Sequence, residues 1–197
     1  MQITFHGKNC FLVKNGDVII AFDSLANLKD KINIATSSLE GEAKNGEKNF
    51  DWPGEYESNG VTITGISTFQ GPRSLDAEIS QEKNTVFLLG IDKMKVCHLG
   101  HLGHKFSPEQ VETLGDIDVL FIPIGSESKL TPERLKEVVN QIDPRVIIPM
   151  GELTAENLIA LGKLLSYEVK PAEEKIEITK NSLPIDKTDL IILKIVN

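Results

Sequence analysis

The chain is short of several things, and each shortage removes a class of protein. It has two cysteines in 197 residues, Cys10 and Cys97, and no CxxC pair, so neither a disulfide framework nor a cysteine-rich zinc module is encoded. Both lie in apolar stretches, "CFLV" and "KVCHL", the usual setting of a buried, inert thiol. No apolar run approaches the ~20 residues of a membrane span. The opening "MQITFHGKNC" lacks the basic region, long apolar stretch and cleavage site of a secretory signal, so the expected location is cytoplasmic. Basic residues are outnumbered, 21 Lys and Arg against 29 Asp and Glu, for a formal net charge of −8. An electrostatic grip on nucleic acid is therefore not expected. The Gly-rich dinucleotide fingerprint, the phosphate-binding P-loop and the G-x-S-x-G nucleophile turn are also missing.

What is present is an ordinary globular balance, 40% hydrophobic and 25% charged, in a length suited to a single domain over residues 1–197. The first half reads as strands. "QITFH" and "CFLVKNGDVIIAFD" carry strand-forming residues, with Asn15-Gly16 as a hairpin turn. "KINIAT" and "GVTITGIS" follow, and "NTVFLLGIDKMKVCHLG" forms a second hairpin turning near Asp92-Lys93. Residues 40–60 are polar and rich in Gly, Asn and Glu, and are expected to be mainly loop. The second half alternates strand and helix. Ser107, Pro108 and Gln110 make a helix start with a capping box, and Gly115 closes that helix. "TPERLKEVVNQI" places Leu135, Val138, Val139 and Ile142 on one helical face, and Thr154 caps a third helix. Strand-rich halves with few helices predict an α+β layered sandwich rather than a doubly wound sheet.

The densest chemistry is "CHLGHLGH", which holds His98, His101 and His104 of the four histidines. Two glycines within it predict a loop rather than a helical face.

The ordered segments "ITFHGKNCFLV", "VIIAFD", "PGEYESNGVTITGI", "KNTVFLLGID", "KVCHLGHLGHKFSPEQ", "DVLFIPIG" and "VIIPM" closely resemble the metallo-β-lactamase fold superfamily. The branch is that of the Zn-dependent hydrolases and ascorbate-6-phosphate lactonase-like proteins. The resemblance implies a four-layer αββα sandwich, two mostly antiparallel sheets flanked by helices, with a site at one edge of the sheets. It further implies a Zn²⁺ or Mn²⁺ pair that activates water and polarises an ester, lactone or phosphodiester. That pair is held by His-x-His-x-Asp-His, a later His, a bridging Asp and a final His.

Carried across, the ligand pattern is lost. Ser37, Leu39, Gly41 and Glu42 of "TSSLEGE" stand where the His-x-His-x-Asp-His run belongs. Gln70 replaces the His after "TGI", His101 the bridging Asp, and Gly151 the final His, while Lys8 replaces an upstream His. Leu and Gly cannot ligate, and a neutral imidazole cannot stand in for a bridging carboxylate. The expectation is therefore a protein without its dinuclear centre and without a metal cofactor, a pseudo-hydrolase serving as a binding or assembly module. The former ligand positions would line a vacated pocket, with Lys8, Glu55 and His98 as further binding candidates. The alternative is a hydrolase with a rebuilt mononuclear Zn or Mn site drawn from His101, His98, Gln70 and Glu42. A third reading is a small-molecule or nucleotide-phosphate sensor using Lys8. His98 and His104 are expected to hold their loop through backbone bonds, and Asp23 to serve a turn or orienting role. Glu55 and Tyr56 of "DWPGEYE" are expected at a packed turn or at the rim of the pocket. Family analogy implies a homo-oligomer, and no other partner is indicated.

Overall fold

The structure, a computed structural model, describes residues 1–23, 28–71 and 82–196. One sheet holds β1 (Gln2–Phe5), β2 (Phe11–Asn15), β3 (Val18–Phe22), β4 (Ile32–Thr36), β5 (Gly46–Phe50) and β12 (Lys175–Glu177), in the spatial order β12-β1-β2-β3-β4-β5. The other holds β6 (Gly54–Ser58), β7 (Val61–Phe69), β8 (Lys83–Ile91), β9 (Met94–His98), β10 (Val119–Ile124), β11 (Val146–Gly151) and β13 (Asp189–Leu190), in the order β13-β11-β10-β9-β8-β7-β6.

Both predicted hairpins form. Asn15 pairs with Val18 around a turn in which Gly16 has φ 59°. Asp92 and Lys93 both take positive φ between the paired Ile91 and Met94, the backbone of a type I′ turn. The sheets, expected to be mostly antiparallel, are mixed: β3-β4-β5 and β9-β10-β11-β13 run parallel. For β9-β10-β11 the cause is a pair of helical crossovers. Helix α1 (Pro108–Leu114) and helix α2 (Pro132–Ile142) carry the chain back across the sheet, and such crossovers produce parallel neighbours.

Residues 40–60, expected to be mainly loop, contain β5 and β6. Each closes one edge of its sheet, and their side chains are largely exposed or half-buried. Neither strand has a fully buried residue, so neither sequence carries an apolar alternation to read.

Strand alternation builds the layers. Phe87, Leu89 and Ile91 of β8 point between the sheets, as do Phe11, Val13, Ile20 and Phe22 of β2 and β3. Val86 and Leu88, one residue out of phase, point outward against α1, α2 and helix α3 (Ala155–Leu165). Among the described residues all three α-helices lie on that outer face. The other sheet's outer face carries a small cluster, Leu12, Ala21, Ile32 and Ala35.

The helix starts follow the capping chemistry. The Gln110 N–H donates to Ser107 Oγ at 3.3 Å, and the Ser107 N–H donates to Gln110 Oε1 at 2.9 Å. Ser107→Ala is expected to cost about 1 kcal/mol in chemical denaturation, because it leaves an orphan N–H at the helix start.

Candidate functional site

The carboxyl ends of β3, β4, β9 and β10 all open onto one edge of the sandwich, where α/β architectures commonly hold ligands. The segments that leave them supply Asp23, Ser37, Ser38, His101 and Glu127, and the turn between β1 and β2 adds Lys8 and Asn9. A cavity of about 290 Å³ is lined there by Lys8, Asn9, Asp23, Ser37, Leu39, Glu42, His101 and Glu127.

Its back wall is a hydrogen-bonded chain. Asp23 accepts from the Ser38 backbone N–H through Oδ1 at 2.6 Å and from the Ser38 hydroxyl through Oδ2 at 2.8 Å. Ser38 Oγ lies 3.0 Å from His101 Nδ1, and His101 Nε2 lies 3.3 Å from Asn9 Nδ2. The Ser38 proton goes to the carboxylate, so Nδ1–H of His101 donates to Oγ, and Nε2 is left to accept from the Asn9 amide. Both ring nitrogens are occupied in this arrangement.

Asn84, 1% exposed, fixes the loop that carries His101. Its Oδ1 accepts from the His101 N–H at 2.8 Å, and its Nδ2 donates to the Leu99 carbonyl at 3.1 Å and to Thr68 Oγ1 at 2.8 Å. Gly100, at φ +56°, passes so close to Ser38 that any Cβ there would collide with the serine side chain.

His98 and His104 act as scaffold. His98 Nε2–H donates to the Asn9 carbonyl at 2.8 Å, and its Nδ1 accepts from the Gly100 N–H at 3.2 Å. Its ring stacks on Phe22 with centroids 5.0 Å apart. His104 accepts from the Phe69 N–H at Nε2 and donates from Nδ1 to the Lys105 carbonyl. Neither ring has a lone pair left for a ligand. Burial, opposed by the charge of Asp23, holds the His98 imidazole below its ordinary value of 6.5.

His98 therefore resists protonation when folded and accepts a proton readily when unfolded. Its stabilising contribution is complete above pH 6.5 and is lost as pH falls below that value. Denaturation at pH 7.5 and pH 5 should show a steeper loss for the native chain than for His98→Gln.

The remaining candidates separate. Gly151 lies beside the cavity, near His101, and its N–H donates to the Lys8 carbonyl at 2.7 Å. Gln70 does not join His101: its amide donates to the Lys83 carbonyl, just past the end of the β7-β8 pair. Glu55 projects from the exposed edge strand β6, opposite Thr64, away from the cavity. Gly41 contributes only an N–H, which donates to Asp51. Tyr56 packs on Phe50 and donates to the Trp52 carbonyl, a packed turn. Cys97 is fully buried, and burial pushes its thiol far above the ordinary range.

The donor set does not fit a Zn²⁺ or Mn²⁺ pair. Of the eight residues around the cavity, Leu39 cannot ligate, Lys8 is cationic, and His101 and Asp23 are engaged in the network. Among the described residues no group of three or more His, Cys, Asp or Glu side chains converges as a metal site would require. No helix is long and apolar enough to cross a membrane among those residues.

Comparison with known proteins agrees with this architecture. Residues 2–151 match the Beta-lactamase superfamily domain. A candidate Zn-dependent hydrolase of the metallo-β-lactamase superfamily from Thermotoga maritima superposes with TM-score 0.79 at 28% identity, covering 98% of this chain and 97% of that one. A candidate metal-dependent hydrolase from Parabacteroides distasonis gives TM-score 0.67 at 16% identity over 96% of this chain and 91% of its own, which is a likeness of fold alone. A UPF0173 protein of Pyrococcus furiosus is 38% identical over 56 residues, a match spanning 28% of this chain and 26% of that protein. With the sandwich, the strand-end cavity and these matches together, the chain belongs to the metallo-β-lactamase superfamily.

Proposed function

We propose that this chain is a pseudo-hydrolase of its superfamily, a binding module whose strand-end cavity takes a small polar solute rather than a metal pair. The observation that carries this reading is the Asp23–Ser38–His101–Asn9 chain. It uses both nitrogens of His101 and both oxygens of Asp23 for bonds within the protein. The groups that a hydrolase would spend on metal and water are thus spent on tying four segments together. Lys8, at the front of the cavity, offers a cation to an anionic group of the solute, while Glu42 and Glu127 make the rim unfavourable to highly charged anions.

The test is turnover. The purified chain, assayed with added Zn²⁺ and separately with Mn²⁺, should hydrolyse a nitrophenyl phosphodiester, a simple lactone and a nitrophenyl ester no faster than buffer does. Metal-dependent turnover that His101→Ala abolishes would establish a rebuilt hydrolase and overturn the proposal.

A further inference from the structure

A second, larger cavity lies on the helical side of the molecule and is independent of the polar one. It is a cleft of about 540 Å³ between α2 and α3, within the size range of small-ligand pockets. Its walls are apolar: Ile124, Leu130, Leu135, Leu161 and Leu164 line it. The sequence explains why it stays open. Helix α3, "AENLIALGKLL", has more apolar residues than one buried stripe needs. Leu161 and Leu165 enter the core, while Leu164 remains half-buried facing the cleft and Ile159 stays 56% exposed.

One charge sits among these side chains. Lys163 lines the cleft and forms no ion pair among the described residues, although the chain has 29 acidic residues to offer. The polar groups nearby are already engaged. Ser128 Oγ bonds the Leu130 backbone, and the Asn157 amide donates to the Glu152 carbonyl. An apolar slot with one uncommitted cation is complementary to an anion with a hydrocarbon body. We propose that the cleft binds a single apolar carboxylate, with its alkyl or aryl body between α2 and α3 and its carboxylate at Lys163 Nζ.

Calorimetric titration of the full chain with sodium decanoate, kept below its micelle-forming concentration, tests this. The expected result is saturable one-to-one binding. Ala160→Trp, a change at an exposed position lining the cleft, should weaken it at least tenfold. Lys163→Gln should weaken decanoate by a similar factor and leave decanol binding unchanged. Thermal melting of both variants checks that they remain folded. Absence of saturable binding, or decanoate binding untouched by Ala160→Trp, would overturn the proposal. So would self-association of the native chain that Ala160→Trp removes, since the occupant would then be a second copy.

Discussion

Phe121→Ala is expected to lower the free energy of unfolding by about 3–5 kcal/mol, the upper range for a large-to-small change in a packed core. Phe121 is fully buried on β10 at the contact between the two sheets. Its ring stacks on Phe11 with centroids 4.0 Å apart and planes 8° from parallel, and it meets Phe22 edge-on at 5.5 Å. It also contacts the His98 ring at 5.8 Å, so the same cavity would loosen the residue that pins the Asn9 carbonyl. Both sheets supply rings to this cluster, and neither can close the gap without moving relative to the other. Guanidinium denaturation of the variant measures the loss. A cost below 1 kcal/mol would mean that the sheets are held together elsewhere.

Asn84→Ala is expected to cost about 3 kcal/mol through a different route. The side chain of Asn84 is small, but three polar groups depend on it: the His101 N–H, the Leu99 carbonyl and the Thr68 hydroxyl oxygen. The bonds to Leu99 and Thr68 are buried and the bond to His101 partly so, and a buried polar group left unpaired costs about 1–3 kcal/mol. The loss should appear together with local release of residues 99–101, read as faster amide exchange there than in β10. Asn84→Asp, which keeps the acceptor for His101 but sets a buried carboxylate oxygen against the Leu99 carbonyl, should cost at least as much. Uniformly raised exchange across both sheets, with no excess at residues 99–101, would argue against Asn84 as the anchor of that loop.

How far the fold was legible depended on whether a segment buries one face. The hairpins at Asn15-Gly16 and Asp92-Lys93 and the caps at Ser107 and Thr154 rest on local chemistry, and the structure shows each of them. Strands β5 and β6 were not legible, because their sequences, "GEKNF" and "GEYES", alternate between partly and fully exposed positions, none of them buried.

The site was partly legible. Lys8, Ser37, Leu39, Glu42 and His101 do come together around one cavity, from three segments as far apart in sequence as 8 and 101. Asn9, Ser38 and Glu127 escaped notice. Asn9 and Glu127 lie in turns whose placement is set by long-range contacts, such as the His98 bond to the Asn9 carbonyl, and no local pattern announces those. Ser38 offered only one signal, a second small polar residue at the end of an apolar strand. Gln70 and Glu55 went the other way: the Gln70 amide, just past the end of β7, bonds the Lys83 carbonyl, and Glu55 faces solvent from the edge strand β6.

The proposed function requires that Asp23, Ser38, His101 and Asn9 bond one another rather than a metal ion. The most direct measurement is metal stoichiometry after incubation with excess Zn²⁺, and separately Mn²⁺, followed by removal of unbound ions. Far less than one equivalent per chain is predicted, with no difference between the native protein and His101→Ala. One equivalent or more in the native protein, lost in His101→Ala, would contradict it.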